Sequence, residues 1–494
     1  MAIDGFKSYY RENCTGYTTI SEDECETILR AVFDVMETAG QVIMHDHTLQ
    51  LLKDAGCGAD GSKVTIPRRL VQKAVESAPQ KFTLYSRNGE PAMEVGGRNS
   101  YFGLGPTNPY FSDFQTGERR PSTSGDTASC MKVADALPNI DFVMSLSSSS
   151  DGPPQNAEVL EMLQMLKYTT KPIIGWGNSA GGIAEILEMC AAVAGGEKLF
   201  KERPFAAIYV GDPVTPLTHP EDSLEKLMYC CENEVPAIYL SDSQLGTLSP
   251  VTVAGAVVLG IVEVLTGLVI SQLVKEGCVY VGGVINLSVD MKPVNVCYGS
   301  PEFCLGNGAC YDVLHYLNLP IWGTANITDS KFVDEQAAIE GAMTSLTSCL
   351  SGAHLIHDAG FIEGAMSAAL EHIVMSDEII GYARRIKQGI EINEETLALD
   401  VIREVGAGGT YITHEHTFKH FREVWQSTLF DHTVFNPDIR PTRMQERLKA
   451  KTKDILETHR VEPLPEGVAA ELDDIYKKSL KRVEEEGSCR KRKR

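Results

Sequence analysis

From about residue 100 the chain alternates between short apolar runs and longer segments with helical spacing. The runs fall at 101–104, 142–146, 173–176, 206–210, 237–240, 279–281, 321–323 and 354–356. Each is followed by polar or glycine-rich text and then by a helical stretch, clearest at 157–168, 184–193, 222–232, 251–275 and 334–350. Short buried strands joined by crossover helices are what a parallel sheet requires. Eight is the number that closes such a sheet on itself. The expected fold is α/β, a (β/α)8 TIM-type barrel over 100–390. An open doubly wound sheet would show the same alternation, but no glycine-rich phosphate loop follows the first strand.

The flanks read differently. Residues 1–99 form an N-terminal extension of helical pieces and short strands. Ser21-Glu22-Asp23-Glu24 caps an amphipathic run to about Ala39, and Pro67-Arg68-Arg69-Leu70 opens a second helix. Strand-like text follows around Phe82-Thr83-Leu84-Tyr85 and Ala92-Met93-Glu94-Val95, with a turn at Asn88-Gly89 between them. Residues 391–494 form a C-terminal helical extension, rich in Lys, Glu and Leu from Met444 to about Gly487. That stretch is expected to pack outside the barrel or to serve association, so a homo-oligomer is possible. Glu404-Val405-Gly406-Ala407-Gly408-Gly409 mimics a nucleotide-cofactor loop, but a helix precedes it where a strand is needed, so it reads as a helix stop and turn.

One segment, 251–274, is apolar and long enough to span a bilayer. Glu263 at its centre and the strand-like text on either side make it a buried helix of a soluble protein. Net charge adds to the picture. At -22 over 494 residues, the chain is unsuited to nucleic acid or to an anionic membrane surface, and suited to a cationic ligand. The closing Arg490-Lys491-Arg492-Lys493-Arg494 run reads as a solvated tail. Thirteen cysteines lack framework or paired metal spacing. With no signal peptide at Met1-Ala2-Ile3-Asp4, the expectation is a reducing cytoplasm and no structural zinc.

In such barrels the working residues stand at the C-terminal ends of strands. Those positions hold Asn108, Tyr110 and Asp113, then Ser147 to Ser150 with Asp151. Trp176, Asn178 and Asp212 follow, then Asp242, Gln244, Asn286 and Asn326, and finally His357, Asp358 and Phe361. Carboxylates, amides and aromatic rings with almost no Lys or Arg suit a cation, not a phosphate. Asp and Asn at strand ends also cap helices and fix turns, so no single one identifies the chemistry. His357-Asp358 is the most distinctive, as an ionisable pair at a strand end. His414 and His416 share a face if extended, but a third metal ligand is not evident, and no metal is expected.

Several ordered motifs resemble the trimethylamine methyltransferase (MttB-like) family. Asp113-Phe114-Gln115-Thr116-Gly117 with Arg120 and Asp126 matches its early barrel, and Leu248 to Ala256 matches the approach to the long apolar helix. Asp329-Ser330-Lys331, Asp334-Glu335-Gln336, Glu340 and His354-Leu355-Ile356-His357-Asp358-Ala359-Gly360 follow. Gly406-Ala407-Gly408-Gly409, His414, His416-Thr417 and Phe421-Arg422 complete the series in order. The resemblance covers nearly the whole chain. It implies a barrel that passes a methyl group from a methylated amine to the cobalt of a separate corrinoid protein. Well-known members carry pyrrolysine, whereas every residue here is standard. The resemblance is therefore to the branch associated with quaternary amines, among which glycine betaine is favoured over carnitine and proline betaine as the commonest small one.

For a quaternary amine, the leaving group departs as a neutral tertiary amine, so no general acid is needed. The task is to place one methyl in line with cobalt and exclude water. Tight carboxylate binding of the ammonium would favour the ground state. Aromatic contacts are therefore expected around the methyls, from Trp176 and Phe361. His357 and Asn326 would anchor a substrate carboxylate, with Asp212 and Asp358 orienting those donors. No residue is required as a catalyst, and His357 and Asp358 are positioning candidates. No cofactor is expected on this chain, because the cobalamin-binding pattern Asp-x-His-x-x-Gly is absent; a corrinoid-bearing partner must dock at the barrel mouth. A barrel lyase or hydrolase, or a non-catalytic binder of methylated amines, would share the scaffold.

Overall fold

The computed structural model describes the backbone of residues 16–492 and the side chains of 16–485. The chain start at 1–4 and the last two residues of the basic run lie outside the described residues, while 490–492 continue the final helix, Val468–Arg492.

The N-terminal helix Glu22–Thr38 starts at a reciprocal cap: the Ser21 backbone N–H donates to Glu24 Oε2 at 2.8 Å, and the Glu24 N–H to Ser21 Oγ at 3.3 Å. The helix Arg68–Ser77 follows Pro67, and Phe82–Tyr85 pairs antiparallel with Pro91–Val95 across Gly89, whose φ is 83°. Both N-terminal helices pack on Val253–Val274. That helix is apolar on every side, so it needs cover on every side. The strands Ala237–Gln244 and Tyr280–Asp290 supply it from within and the N-terminal helices from without. It is long and apolar enough to cross a membrane, and most of it is buried inside the protein.

The architecture is mixed α/β with strands in several sheets. Four parallel strands, Ile173–Trp176, Ala206–Gly211, Ala237–Gln244 and Tyr280–Asp290, lie side by side in chain order, and Asn295–Cys297 turns back antiparallel on the last. A second parallel sheet orders Trp322–Thr324, Leu355–Ala359 and Tyr101–Leu104. Isolated parallel bridges join Gly103 to Phe142, Val143 to Ile173, and Gly282 to Ile321.

Two expectations shift. The run 142–146 contributes only those single bridges, because the chain leaves extended geometry at Leu146, where φ is 57°. Residues 241–244 and 282–286 do not follow their strands but belong to them: 241–244 are the last four residues of Ala237–Gln244, and 282–286 lie inside Tyr280–Asp290. Gly282 and Gly283 are a packing device there. A Cβ at Gly282 would strike Val264 on the apolar helix, and one at Gly283 would strike the backbone and side chain of Trp322. The C-terminal helices Met444–Thr458 and Val468–Arg492 pack within the chain, burying Leu448, Ile455, Leu472 and Ile475. Arg482 pairs with Glu185 at 2.8 Å and Lys167 with Asp473 at 2.6 Å to hold the last helix down.

Candidate active site

One face of the parallel strands is lined by large side chains that meet each other. Trp322 is fully buried and lies 4.6 Å from the His357 ring, 5.9 Å from Phe142 and 6.5 Å from Tyr209, centroid to centroid. Toward the C-terminal ends of the strands this aromatic layer gives way to acids. Asp212, Asp242 and Asp358 are close enough to feel one another electrostatically, with Tyr209 and Tyr298 among them.

Each acid has a different setting. Asp358 accepts from Thr324 Oγ1 at 2.5 Å through Oδ2. Its Oδ1 is 3.1 Å from His357 Nε2, yet without hydrogen-bond geometry, and is buried with no donor. His357 Nδ1 faces the Gly323 carbonyl at 2.8 Å, which fixes the ring. Burial holds the Asp358 carboxyl above its ordinary range, opposed by His357 and Thr324. Asp212 accepts from Tyr209 Oη at 2.5 Å; burial raises it, while that hydroxyl and Lys226 pull it down. Asp242 is the outlier. Its Oδ1 is buried with no partner, and its carboxyl is pushed well up by burial and then by Asp212, Asp358 and Glu263. Burial and neighbouring acids both shift such a carboxyl toward its protonated form.

The backbone is strained in the same place. Thr107, Leu146, Asn326, Asp358, Glu363 and Ala365 all have positive φ, from 45° to 86°; Asp358 is within the strand Leu355–Ala359, and Glu363 and Ala365 lie in the hairpin after Phe361–Ile362. Such conformations cost about 1–3 kcal/mol each and gather at functional sites. Orphaned polar groups accompany these strands: both amide atoms of Asn108 and of Asn326, Asn286 Oδ1 and, within the layer, Trp322 Nε1 are buried with no hydrogen-bond partner in the protein. Native structures tolerate few such groups.

Of the residues singled out in the sequence, Asp212, His357, Asp358 and Phe361 come together around this layer. Phe361 is buried with its ring where a Cβ on Gly105 would lie, next to Asp358 Oδ1. Asn326 stands one residue beyond Ala325, whose N–H donates to the His357 carbonyl at 3.0 Å. Trp176 is half-buried on the strand next to Tyr209, paired with it in register, and its Nε1 donates to Glu161 Oε2 at 2.7 Å. Glu161 is buried from the helix Ala157–Tyr168, and burial pushes its carboxyl up to about 7. Tyr209, Tyr298 and Trp322 escaped the sequence reading. A strand residue is read as inward-facing only once the curvature of the sheet is known. Asp242 appeared only among the strand-end residues and stands here as the least satisfied acid.

His414 and His416 are away from these strands. His414 Nδ1 accepts from the His416 N–H at 3.0 Å, and the His416 ring lies 4.5 Å from that of His420. Among the described residues no group of three His, Cys, Asp or Glu side chains is placed to hold a metal ion.

The family model for trimethylamine methyltransferase (MTTB) matches residues 4–483. The chain belongs to the trimethylamine methyltransferase family. It is 30% identical over 473 residues to trimethylamine methyltransferase MttB of Desulfitobacterium hafniense strain DSM 10664 / DCB-2, covering 94% of each chain. It is 28% identical to the glycine betaine methyltransferase of Desulfitobacterium hafniense strain Y51, covering 95% of this chain and 98% of that one. Among solved structures it is similar to the hydroxylamine complex of MtmB, with a TM-score of 0.50 and 12% identity over 94% of this chain and 89% of that one. That likeness is one of fold alone. The acid and aromatic layer therefore belongs to a methyltransferase, and its chemistry has to be read in those terms.

Proposed function

We propose that this methyltransferase moves a methyl group from a small quaternary amine, glycine betaine in the first instance, to the Co(I) of a separate corrinoid protein. The carrying observation is the joint placement of unpartnered polar atoms and acids against aromatic walls. Asp242 Oδ1, Asp358 Oδ1 and the amides of Asn108 and Asn326 have no hydrogen-bond partner in the protein, and Tyr209 and Tyr298 lie among the acids with Trp322 against Tyr209. A quaternary ammonium donates no hydrogen bond. It is held by the field of carboxylates and by aromatic faces, and the amides suit the carboxylate at the other end of a betaine. Asp212 and Asp358 are already engaged by Tyr209 and Thr324, which suits an orienting role better than a direct grip on the cation.

On this reading Trp176, Asp212, Asn326, His357 and Phe361 contact or orient the substrate, with His357 and Asp358 as positioning residues. The partner's corrinoid supplies the nucleophile. The residues of this chain hold the ammonium so that one methyl points outward, and they keep water from the reacting carbon. The eight βα units are taken as a closed (β/α)8 barrel over 100–390, flanked by extensions at 1–99 and 391–494. The single bridges across 103–142, 143–173 and 282–321 support closure. The eleven described cysteines are all free, which suits a cytoplasmic setting. The test mixes the chain with its reduced corrinoid protein and individual amines and follows the cobalt spectrum. Methyl–Co(III) forming with a quaternary amine supports the reading. Demethylation without corrinoid, or binding with no turnover, overturns it.

A further inference from the structure

Between Arg384 and Thr428 no residue is buried, and residues 431–443 are again without a buried one. This stretch nevertheless forms three helices, Glu394–Leu397, Leu399–Val405 and Glu415–His420, none of which contributes a buried residue. The helices have 4, 7 and 6 residues. Isolated helices shorter than about 12–15 residues are marginal in water. Local caps are present: Asn393 Oδ1 accepts the Thr396 N–H at 2.9 Å, and Thr417 Oγ1 donates to the Tyr411 carbonyl at 2.6 Å. A cap contributes about 1 kcal/mol, too little to hold three short helices with no core. The surface they bury against lies outside this chain.

Composition agrees. Thirteen large apolar side chains from Ile390 to Ile439 are exposed, among them Ile390 at 86%, Ile412 at 80%, Phe418 at 77%, Val434 at 92% and Phe435 at 77%. At roughly 100 Å² each they present on the order of 1,300 Å², against the roughly 300–600 Å² that is the largest patch of a typical soluble monomer. We propose that residues 388–443 form an intersubunit arm that packs on a second copy of this chain.

Three features favour a copy over any other occupant. Two such arms in a twofold contact would bury about 2,600 Å², inside the range of roughly 2,000–5,000 Å² for obligate homodimers. Exposure on this scale demands permanent cover, and a partner that must dock and leave in each catalytic cycle does not provide it. A receiving surface also lies at the root of the arm. A groove of about 750 Å³ opens between Phe332, Met375, Met444 and Leu448, and Ile339 and Met343 are exposed on the helix Glu335–Ser351 that borders it. In a twofold interface each copy presents both arm and groove, so one contact satisfies both. The inference is independent of which amine is demethylated.

The experiment is sedimentation of the full chain, wild type against a Phe418→Asp/Phe435→Asp double variant, with hydrogen exchange measured on both. Neither residue contributes to the core. Wild type is expected to sediment as an assembly of two or more copies, with 390–439 protected from exchange. In the variant, association weakens at least 100-fold and protection is lost from the arm only, with the strands still protected. A wild-type monomer at micromolar concentration overturns the proposal. So does an assembly that survives the double substitution, or an arm that gains protection only when the corrinoid protein is added. A variant whose strands also lose protection is replaced by Ile412→Asp, which is read by the same criteria.

Discussion

Asp242→Asn is the substitution that bears most directly on the acid layer. The Asp242 carboxyl has an orphaned Oδ1 and is pushed toward its protonated form by burial and then by Asp212, Asp358 and Glu263. A permanent cation entering the layer opposes that shift, so binding of glycine betaine is expected to release up to one proton over the pH range in which the carboxyl of the free enzyme is protonated. Two opposite unit charges about 5 Å apart attract by roughly 3 kcal/mol at an effective dielectric constant near 20. Ionising a buried acid consumes part of this, leaving about 1.5–3 kcal/mol for affinity, or roughly 10- to 100-fold. Calorimetry in buffers of different ionisation enthalpy counts the protons, and single-turnover methyl transfer gives the rate. For the Asn variant we expect proton release to vanish, affinity to fall by that factor, and the transfer rate to hold or rise, because positive charge on nitrogen is lost along the path. A variant that binds normally and still releases a proton, or one that binds normally but transfers slowly, refutes the argument.

Other outcomes follow from the same geometry. Trp176→Ala and His357→Ala are each expected to lower kcat/KM for the quaternary amine by at least 10-fold, with Tm changed little for Trp176, since its ring is only half-buried; unchanged kinetics would remove that residue from the site. Glu263 accepts from Ser241 Oγ at 2.5 Å, Thr215 Oγ1 at 2.9 Å and the Leu217 N–H at 2.6 Å. Glu263→Leu orphans all three donors and should cost about 3 kcal/mol in denaturant titration. Glu161 has a folded pKa of about 7, above its ordinary value of 4.5. The native state therefore binds the extra proton between those values, and stability is full below pH 4.5 and lost as pH rises to 7. Glu161→Gln should flatten the fall in Tm across that window. His219, His354 and His372 run the opposite way, with burial lowering them to about 3, 4 and 4. Their contribution is full above pH 6.5 and lost as pH falls. By pH 5 the loss amounts to roughly 2 kcal/mol each, so His219→Gln should show a shallower loss of Tm from pH 7 to 5 than wild type.

Much of the layout was legible because it is written in local periodicity. The apolar runs at 101–104, 173–176, 206–210 and 237–240 coincide with strands, and the helices between them start and end within a few residues of their expected limits. The helix stop at Gly406 and the Ser21 cap are equally local, set by backbone freedom and side-chain reach. The strand expected at 279–281 is the clearest departure. It continues through Gly282-Gly283 to Asp290, and both glycines sit inside it because a neighbouring element occupies the space their Cβ atoms would need.

The sequence by itself determined the alternation of strand and helix, the acidic balance and the residue types at strand ends, because propensity, spacing and charge act over a few residues. The tertiary structure decided whether the 253–274 helix faces lipid or protein, since its all-round apolarity is compatible with either until the N-terminal helices are seen to cover it. It also decided which of the strand-end acids is left without a partner. Asp212, Asp242 and Asp358 are alike as letters. Only the packing supplies a hydroxyl to Asp212 from Tyr209 and one to Asp358 from Thr324, and brings none to Asp242 Oδ1. The same holds for the three short helices between Glu394 and His420, whose caps are ordinary. That they contribute no buried residue to their own chain emerges only when every other element has been packed.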